Sequence, residues 1–484
     1  MFKLCKYSII LIISSIFLIN LNSCAKKSDW TTNSPEALDN FLIGRDYKVS
    51  FNFDNAIKHY RASYKADTNF AMVALGLTDA YYHTGFIDSA KRYLKKSIKL
   101  SKNCSRFEKL IIKRAYYSFK MNKDKSQSIT DTLIAEYSDK FYVKVIKSNL
   151  AFSKKDYKRA RKLYFEILEE NPDYAMAYNM IAYSYMLDGY YRDAMDYFRK
   201  YVEAAPNILN PYDSMAEFYM ITGKYQQAID LLEKFVAEKK NLLDQNNFLA
   251  GVIYLKIANG YRNLGKYQKA LEYAKIARMK FPPTRRMHNL NSFIFNMFKE
   301  LDMIEDMKIE YEAIKDHISN FEASYLGIIL NIAEKKNNLA GKQINDFCSK
   351  NRNNDMHYIK FLTILEGEQA FSRERYGVAA DKFKTAYIIP TDLYPEIIEN
   401  KYYISLGLGG EHKMAIEGFK KILKKNPNNP TSLYYISQFY FEDNSLQKSK
   451  NYLNHFFTLW AGADPGSPLL VKAQELQRMI DRTN

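Results

Sequence analysis

The chain has 484 residues, room for roughly two to four ordinary domains or one long repeat array. Hydrophobic residues make up 47% and charged residues 26%, a globular balance that excludes a disordered chain. The net charge of +17 is dispersed without a long basic block, and 18 Gly with 12 Pro supply few tight turns, so composition favours an all-α fold.

The chain opens with MFKLCKYSIILIISSIFLINLNSC. Lys3 and Lys6 form a basic start, Ile9 to Ile19 an almost unbroken apolar run, and Leu21-Asn22-Ser23-Cys24 closes it. The run is shorter than the ~20 residues a membrane span needs and has the flanks of a secretory signal. On the residues alone it could also be an ordinary signal peptide or an N-terminal anchor helix. Its closing tetrapeptide resembles the bacterial lipobox, although Asn22 replaces the usual small residue. That resemblance implies cleavage after residue 23 and acylation of Cys24, with acyl chains holding the protein to a membrane. Ala25 follows rather than Asp, which by the same resemblance points to the outer membrane. The following AKKSDW lacks the acidic run of surface-exported lipoproteins, so a periplasm-facing position is expected. Nucleic acid is an unsuitable partner for an exported chain, and the basic balance fits an anionic lipid, a glycan or an acidic protein. A bias toward Lys, Asn, Ile and Tyr explains that balance more simply. Residues 24–36 read as a tether.

From residue 37 onward the sequence repeats. Ala160 (DYKRARKLYF), Ala194 (YYRDAMDYF) and Ala228 (KYQQAIDLL) stand 34 residues apart, as do Ala56 and Ala90. Ala270 follows Ala228 at 42, which places eight extra residues near AEKKNLLDQNN. Ala379, Ala415 and Ser449 continue the series. A period of this length predicts stacked helix pairs. The pattern resembles the tetratricopeptide repeat, which wants a small eighth residue, an aromatic eleventh, Ala at the twentieth and Pro near the thirty-second. Residues 175–208 supply Ala182, Tyr185, Ala194 and Pro206 at those places. Units 37–70, 71–104, 141–174, 209–242, 251–284, 360–393, 396–429 and 430–463 match well to moderately. Units 107–140, 288–320 and 321–354 match loosely, with Met307 and Ala340 as inter-helix contacts. The resemblance implies an all-α, right-handed α-solenoid of about twelve helix pairs, closed by a capping helix in SPLLVKAQELQRMIDRTN. It divides the chain into an N-terminal array over 37–284, a degenerate joint over 285–355, and a C-terminal array over 356–484. In NPYDS, Asn210 is expected to cap a helix and Pro211 to sit in its first turn.

Chemistry-bearing motifs are sparse. The seven histidines (His59, His83, His288, His317, His357, His412, His455) show no metal-ligand spacing, and GxSxG, GxxxxGK[ST] and CxxC are absent. LGLGGEHK reads as a turn between repeat helices rather than a phosphate loop. Ser445-x-x-Lys448 lacks the companion motifs of an acyl-enzyme serine. Cys104 and Cys348 lie 244 residues apart, no disulfide framework, and are expected to be buried. No enzyme, metal or cofactor is expected.

In the family, the second, fifth, ninth and twelfth positions of helix A line a concave groove that holds a peptide. The resemblance puts Asn149, Phe152, Asn179, Tyr183, Met186, Asp213, Glu217 and Met220 there, a mix of amides, aromatics and Met suited to peptide contact. The paired lysines of a carboxylate clamp are missing beside Asn149, Asn259 and Asn296. The leading expectation is a lipid-anchored envelope scaffold for another protein or peptide. A glycan-capturing lipoprotein partnering an outer-membrane transporter is the alternative, although only Trp30 and Trp460 are available for sugar stacking. A third is a sensory module of a signalling pathway, since 105–240 is similar to repeats found in bacterial signalling proteins and envelope lipoproteins.

Overall fold

The structure is a computed structural model that describes residues 29–244, 246–281, 288–350, 356–389 and 395–483. The expected signal segment and Cys24 lie outside the described residues. Among the described residues there is no strand, and one 3-10 turn, Ser101–Asn103, interrupts the series of α-helices.

The helices form twelve consecutive pairs, each with a helix A and a helix B. Pairs 1 to 4 are Pro35–Val49 with Phe53–Ala66, Ala71–His83 with Ile87–Leu100, Arg106–Phe119 with Lys123–Glu136, and Phe141–Ser153 with Tyr157–Glu170. Pairs 5 to 7 are Ala175–Leu187 with Tyr191–Ala204, Leu209–Ile221 with Tyr225–Glu238, and Asn247–Asn263 with Tyr267–Lys280. A five-residue helix, Lys240–Asp244, precedes pair 7. Pairs 8 to 10 are His288–Glu300 with Ile304–Ile314, Asn320–Ala333 with Asn337–Lys350, and Met356–Ser372 with Tyr376–Ile388. Pairs 11 and 12 are Pro395–Leu408 with His412–Lys425 and Pro430–Glu442 with Leu446–Leu459, and Pro468–Thr483 caps the stack. The fold is an α-solenoid of tandem helix pairs.

Local chemistry sets the ends of these helices. The Ser34 hydroxyl accepts from the Ala37 amide with Pro35 in the first turn. Ser105 and Glu108 form a reciprocal capping box, and the Glu108 carboxylate also accepts from the Thr31 amide at 2.8 Å. Asn429 caps pair 12A ahead of Pro430. Each pair turns from A to B through one residue of positive φ, from Phe51 and Gly85 through Gly189, Gly223 and Gly265 to Gly410 and Asn444. All twelve fall at the fifteenth place of the repeat frames, and Met121, Asp302 and Lys335 mark the three loosely matched units. LGLGGEHK is one of these turns, with Gly410 at φ +94°.

Small residues let A and B approach. Ala56, Ala90, Ala160, Ala194, Ala228, Ala270, Ala379, Ala415 and Ser449 are all buried, as are Met307 and Ala340 in the loosely matched units. The Tyr60 ring wedges between pairs 1 and 2, and a β-carbon at Gly44 or Gly76 would come within 2.7 or 2.9 Å of it. The cap buries Ala473, Leu476 and Ile480. One apolar core runs from Leu209 through Leu290, Phe347 and Leu365, so packing continues through the described part of the expected joint, from Leu290 to Phe347.

Two expectations are corrected. Pair 6A begins at Leu209 with Ile208 as its N-cap, so Asn210 lies inside the helix and donates instead to the Tyr201 hydroxyl at 2.9 Å. Cys104 is buried, but Cys348 is exposed. Ala340, Ile344 and Phe347 take the buried stripe of that helix, and Cys348 falls one position past it.

Contacts between residues about 200 apart close the solenoid on itself. Asn246 Nδ2 donates to the Phe51 carbonyl at 3.1 Å. Asn426 Nδ2 donates to the Tyr225 hydroxyl at 2.8 Å, and Asn428 Nδ2 to the Gly223 carbonyl at 2.9 Å. Trp460 Nε1 donates to the Asn263 carbonyl at 2.9 Å, and the Asp464 amide to the Gly265 carbonyl at 3.0 Å. In each seam the A-to-B turn of an earlier pair meets the B-to-A connection of a later one. Separations of 195 to 205 correspond to about six 34-residue units, which sets the winding at roughly six pairs per superhelical turn. The eight-residue insertion before pair 7 supplies Asn246, and thus one of the seams.

Candidate functional site

The inner wall of pairs 4 to 7 carries the residues singled out from the sequence. Asn149 and Phe152 project from pair 4A, Asn179, Tyr183 and Met186 from pair 5A, and Asp213, Glu217 and Met220 from pair 6A. Met220 is half-buried and the other seven are buried. Several of these side chains meet helix A of the next pair.

Those contacts join several of the eight together. The Tyr183 hydroxyl donates to Glu217 Oε2 at 3.2 Å. Lys256 Nζ, from pair 7A, lies 2.6 Å from Asp213 Oδ1 and 3.6 Å from Glu217 Oε2, and donates to the Asp213 carbonyl at 2.9 Å. Burial alone would lower the Lys256 pKa, but the two carboxylates outweigh it and raise it, so the ammonium stays charged. Asn149 is engaged within its own pair, accepting from the Tyr164 hydroxyl and donating to the Val145 carbonyl at 2.9 Å. Phe152 packs edge-to-face on Tyr157 at 5.3 Å, away from the carboxylate cluster. Asn179 differs from the rest. Its Nδ2 reaches only the Met176 sulfur at 3.6 Å, and its buried Oδ1 has no hydrogen-bond partner among the described residues.

Lys256 was missed because it stands at the sixth place of its unit, outside the four positions that the repeat pattern assigns to the groove. A second internal cluster was missed entirely. Glu368 of pair 10A is buried between Lys299 of pair 8A and Lys401 of pair 11A, and Arg262 of pair 7A holds Glu300. Lys299 and Glu368 are two pairs apart and meet across the interior. Both clusters set opposite charges against one another, one lysine between two carboxylates in the first and three cations around two carboxylates in the second, which fixes geometry. Neither presents a nucleophile beside a base. No group of three or more His, Cys, Asp or Glu able to hold a metal occurs among the described residues. Both tryptophans are structural: Trp30 stacks on Phe107 at 6.2 Å, and Trp460 is buried at a seam.

Residues 147–207 match the family model of the tetratricopeptide repeat. The chain is an α-solenoid, and over that stretch its repeats are of the tetratricopeptide type, which suggests a protein-interaction scaffold. Among solved structures it is similar to the APC/C hetero-tetramer Cut9–Hcn1, at 14% identity and TM-score 0.45, over 90% of this chain and 76% of that one. It is also similar to the human IFIT1 dimer with m7Gppp-AAAA, at 15% identity and TM-score 0.39, over 94% of each chain. Neither likeness carries a partner or an activity to this chain. No curated protein matches it in sequence.

Proposed function

We propose that the protein is a lipid-anchored scaffold of the bacterial envelope, held through Cys24 in the outer membrane and facing the periplasm, that binds another protein. The lipobox-like Leu21–Cys24 supports the anchor. The observation that carries partner binding is a row of exposed apolar side chains on one rim. Tyr82 and Phe86 at the turn of pair 2, Met121 at the turn of pair 3 and Tyr190 at the turn of pair 5 are 47–83% exposed. Tyr82 stands at the twelfth place of its repeat, Met121 at the fifteenth, and Phe86 and Tyr190 at the sixteenth, so all four lie at or beside the A-to-B turns of pairs 2, 3 and 5. Aromatic and Met side chains at the surface are costly to leave wet and favour a protein partner. Tyr183, Asp213 and Glu217 serve such a partner only where the stacked pairs part, because they are tied together, directly or through Lys256, when closed.

The test is crosslinking and affinity capture of the full chain from intact cells, beside a Cys24→Ala control and a variant carrying Tyr82→Ser, Phe86→Ser, Met121→Ser and Tyr190→Ser. One recurrent partner is expected with the native chain, lost in the quadruple variant and depleted with Cys24→Ala. Equal recovery with all three chains would overturn both the rim and the anchor. A mature N-terminus that starts away from Cys24, or carries no acyl mass, would remove the anchor alone.

A further inference from the structure

The seam between pairs 5–6 and pair 11 borders an open cleft of about 610 Å³. Its apolar floor is Tyr191, Met195 and Phe218, with the Tyr191 and Phe218 rings 6.4 Å apart at 57°. Around that floor stand five cations: Arg192 and Arg199 from pair 5B, Lys224 from the turn of pair 6, and Lys424 with Lys425 from the end of pair 11B. The lining holds one carboxylate, Asp196, which lies 3.6 Å from Arg199. Arg192, Lys224 and Lys424 have no carboxylate within ion-pair distance among the described residues. Burial lowers the Lys425 pKa, and the nearby Glu399 carboxylate offsets part of that.

Two features separate this cleft from an ordinary solvated face. The cations come from two different superhelical turns and are brought together by the Asn428–Gly223 and Asn426–Tyr225 hydrogen bonds. Closing the seam therefore gathers like charges, which is unfavourable until something negative lies between them. The floor is also apolar and aromatic, and its volume is in the range of small-molecule sites, far beyond one inorganic ion. We propose that the cleft binds a small organic anion, a flat apolar body bearing a phosphate, sulfate or carboxylate group, which bridges the two turns and locks the seam. The body would lie on the half-buried Tyr191 ring, behind which Phe218 is packed, and the anionic group would sit between Arg192, Arg199 and Lys424. This holds whether or not the rim binds a protein.

The full chain can be titrated calorimetrically with 4-nitrophenyl phosphate and, separately, with inorganic phosphate. Saturable binding of the aryl phosphate, at least about tenfold tighter than inorganic phosphate, is expected if the aromatic floor contributes. Arg199→Glu combined with Lys424→Glu should weaken it by more than about thirtyfold, as two charge-assisted contacts are reversed. Asp196→Asn should tighten it about threefold, an effect no misfolded variant would produce. The ligand should raise the melting temperature of the native chain and leave that of the double variant unmoved. Equal affinity for the two phosphates would overturn the organic body. The absence of saturable binding at millimolar concentration, or unchanged affinity in the double variant with an unchanged melting curve, would overturn the site.

Discussion

At the scale of the residue, the turn inside each helix pair shows what one dihedral angle costs. A left-handed residue ends every helix A, and only five of the twelve are glycine. A β-carbon at positive φ crowds the carbonyl that follows, at about 1–2 kcal/mol per residue. Gly189, at φ +86°, has open space where a β-carbon would stand, so Gly189→Ala would add the backbone term alone. That substitution should lower stability by about 1 kcal/mol. Met121, at φ 55° and 83% exposed, gives the opposite sign. Met121→Gly should raise stability by about 0.5–1 kcal/mol, because relief of the left-handed strain exceeds the added chain entropy of glycine. Urea melts of the two variants beside the native chain decide the matter. Shifts of the same sign would show that the turns are not governed by backbone conformation.

At the scale of the element, helices are tied together by buried charge as well as by wedge rings. Lys48 of pair 1A lies 2.6 Å from Asp79 Oδ2 of pair 2A, and His83 Nε2 lies 3.4 Å from Asp79 Oδ1. Burial alone would raise the Asp79 pKa, but Lys48 and His83 outweigh it and hold the carboxyl well below its ordinary range. A depressed carboxylate contributes stability that is fully present above its unfolded pKa of about 4 and is lost as pH falls through the folded value. Asp79→Asn should therefore cost about 2–3 kcal/mol at pH 7, and the gap from the native chain should close as pH falls from about 4 toward 2. Thermal melts over that range measure it, and a gap independent of pH would exclude the ion pair as the cause. Elements were the level most legible in the sequence. The spacing of Ala56, Ala90, Ala160 and Ala194 follows from how closely two helices can cross, and a local rule of that kind survives even where Met307 replaces the alanine. The candidate groove was less legible. Its positions along helix A were readable, but how far inward side chains must travel before meeting another pair depends on the winding, which no single repeat encodes. Lys299 and Glu368, two pairs apart, meet through that winding, whereas Lys256 reaches Asp213 and Glu217 on the adjacent pair.

At the scale of the whole molecule, the seams turn a string of repeats into a closed body. They join residues about 200 apart through asparagine side chains, one indole and the backbone and carboxylate of Asp464, and nothing in the spacing of Asn426 or Trp460 marks them in the sequence. Two turn glycines separate the seam from the repeat. A β-carbon at Gly223, φ +74°, would come within 2.3 Å of Asn426 Oδ1 and 3.0 Å of Asn428 Cβ. One at Gly265, φ +72°, would meet Ala463 Cβ at 2.7 Å and the Trp460 ring at 2.9 Å. Gly189→Ala carries the same backbone penalty without any seam. The difference between Gly223→Ala and Gly189→Ala is thus the cost of pushing the second turn off the first, about 1–3 kcal/mol by analogy with overpacked interiors. Because the seam can part while every helix pair stays intact, that cost should appear as shape before it appears as unfolding. Small-angle scattering should show a larger radius of gyration for Gly223→Ala and for Gly265→Ala, with helical circular dichroism unchanged, whereas Gly189→Ala keeps the native radius. If all three variants scattered alike, the stacked turns would be held by the apolar core alone and the asparagine seam would contribute nothing to closure. A radius that expands only in the seam variants would make the winding itself the adjustable element, with the inner-wall carboxylates reached by opening it and the basic cleft assembled by closing it.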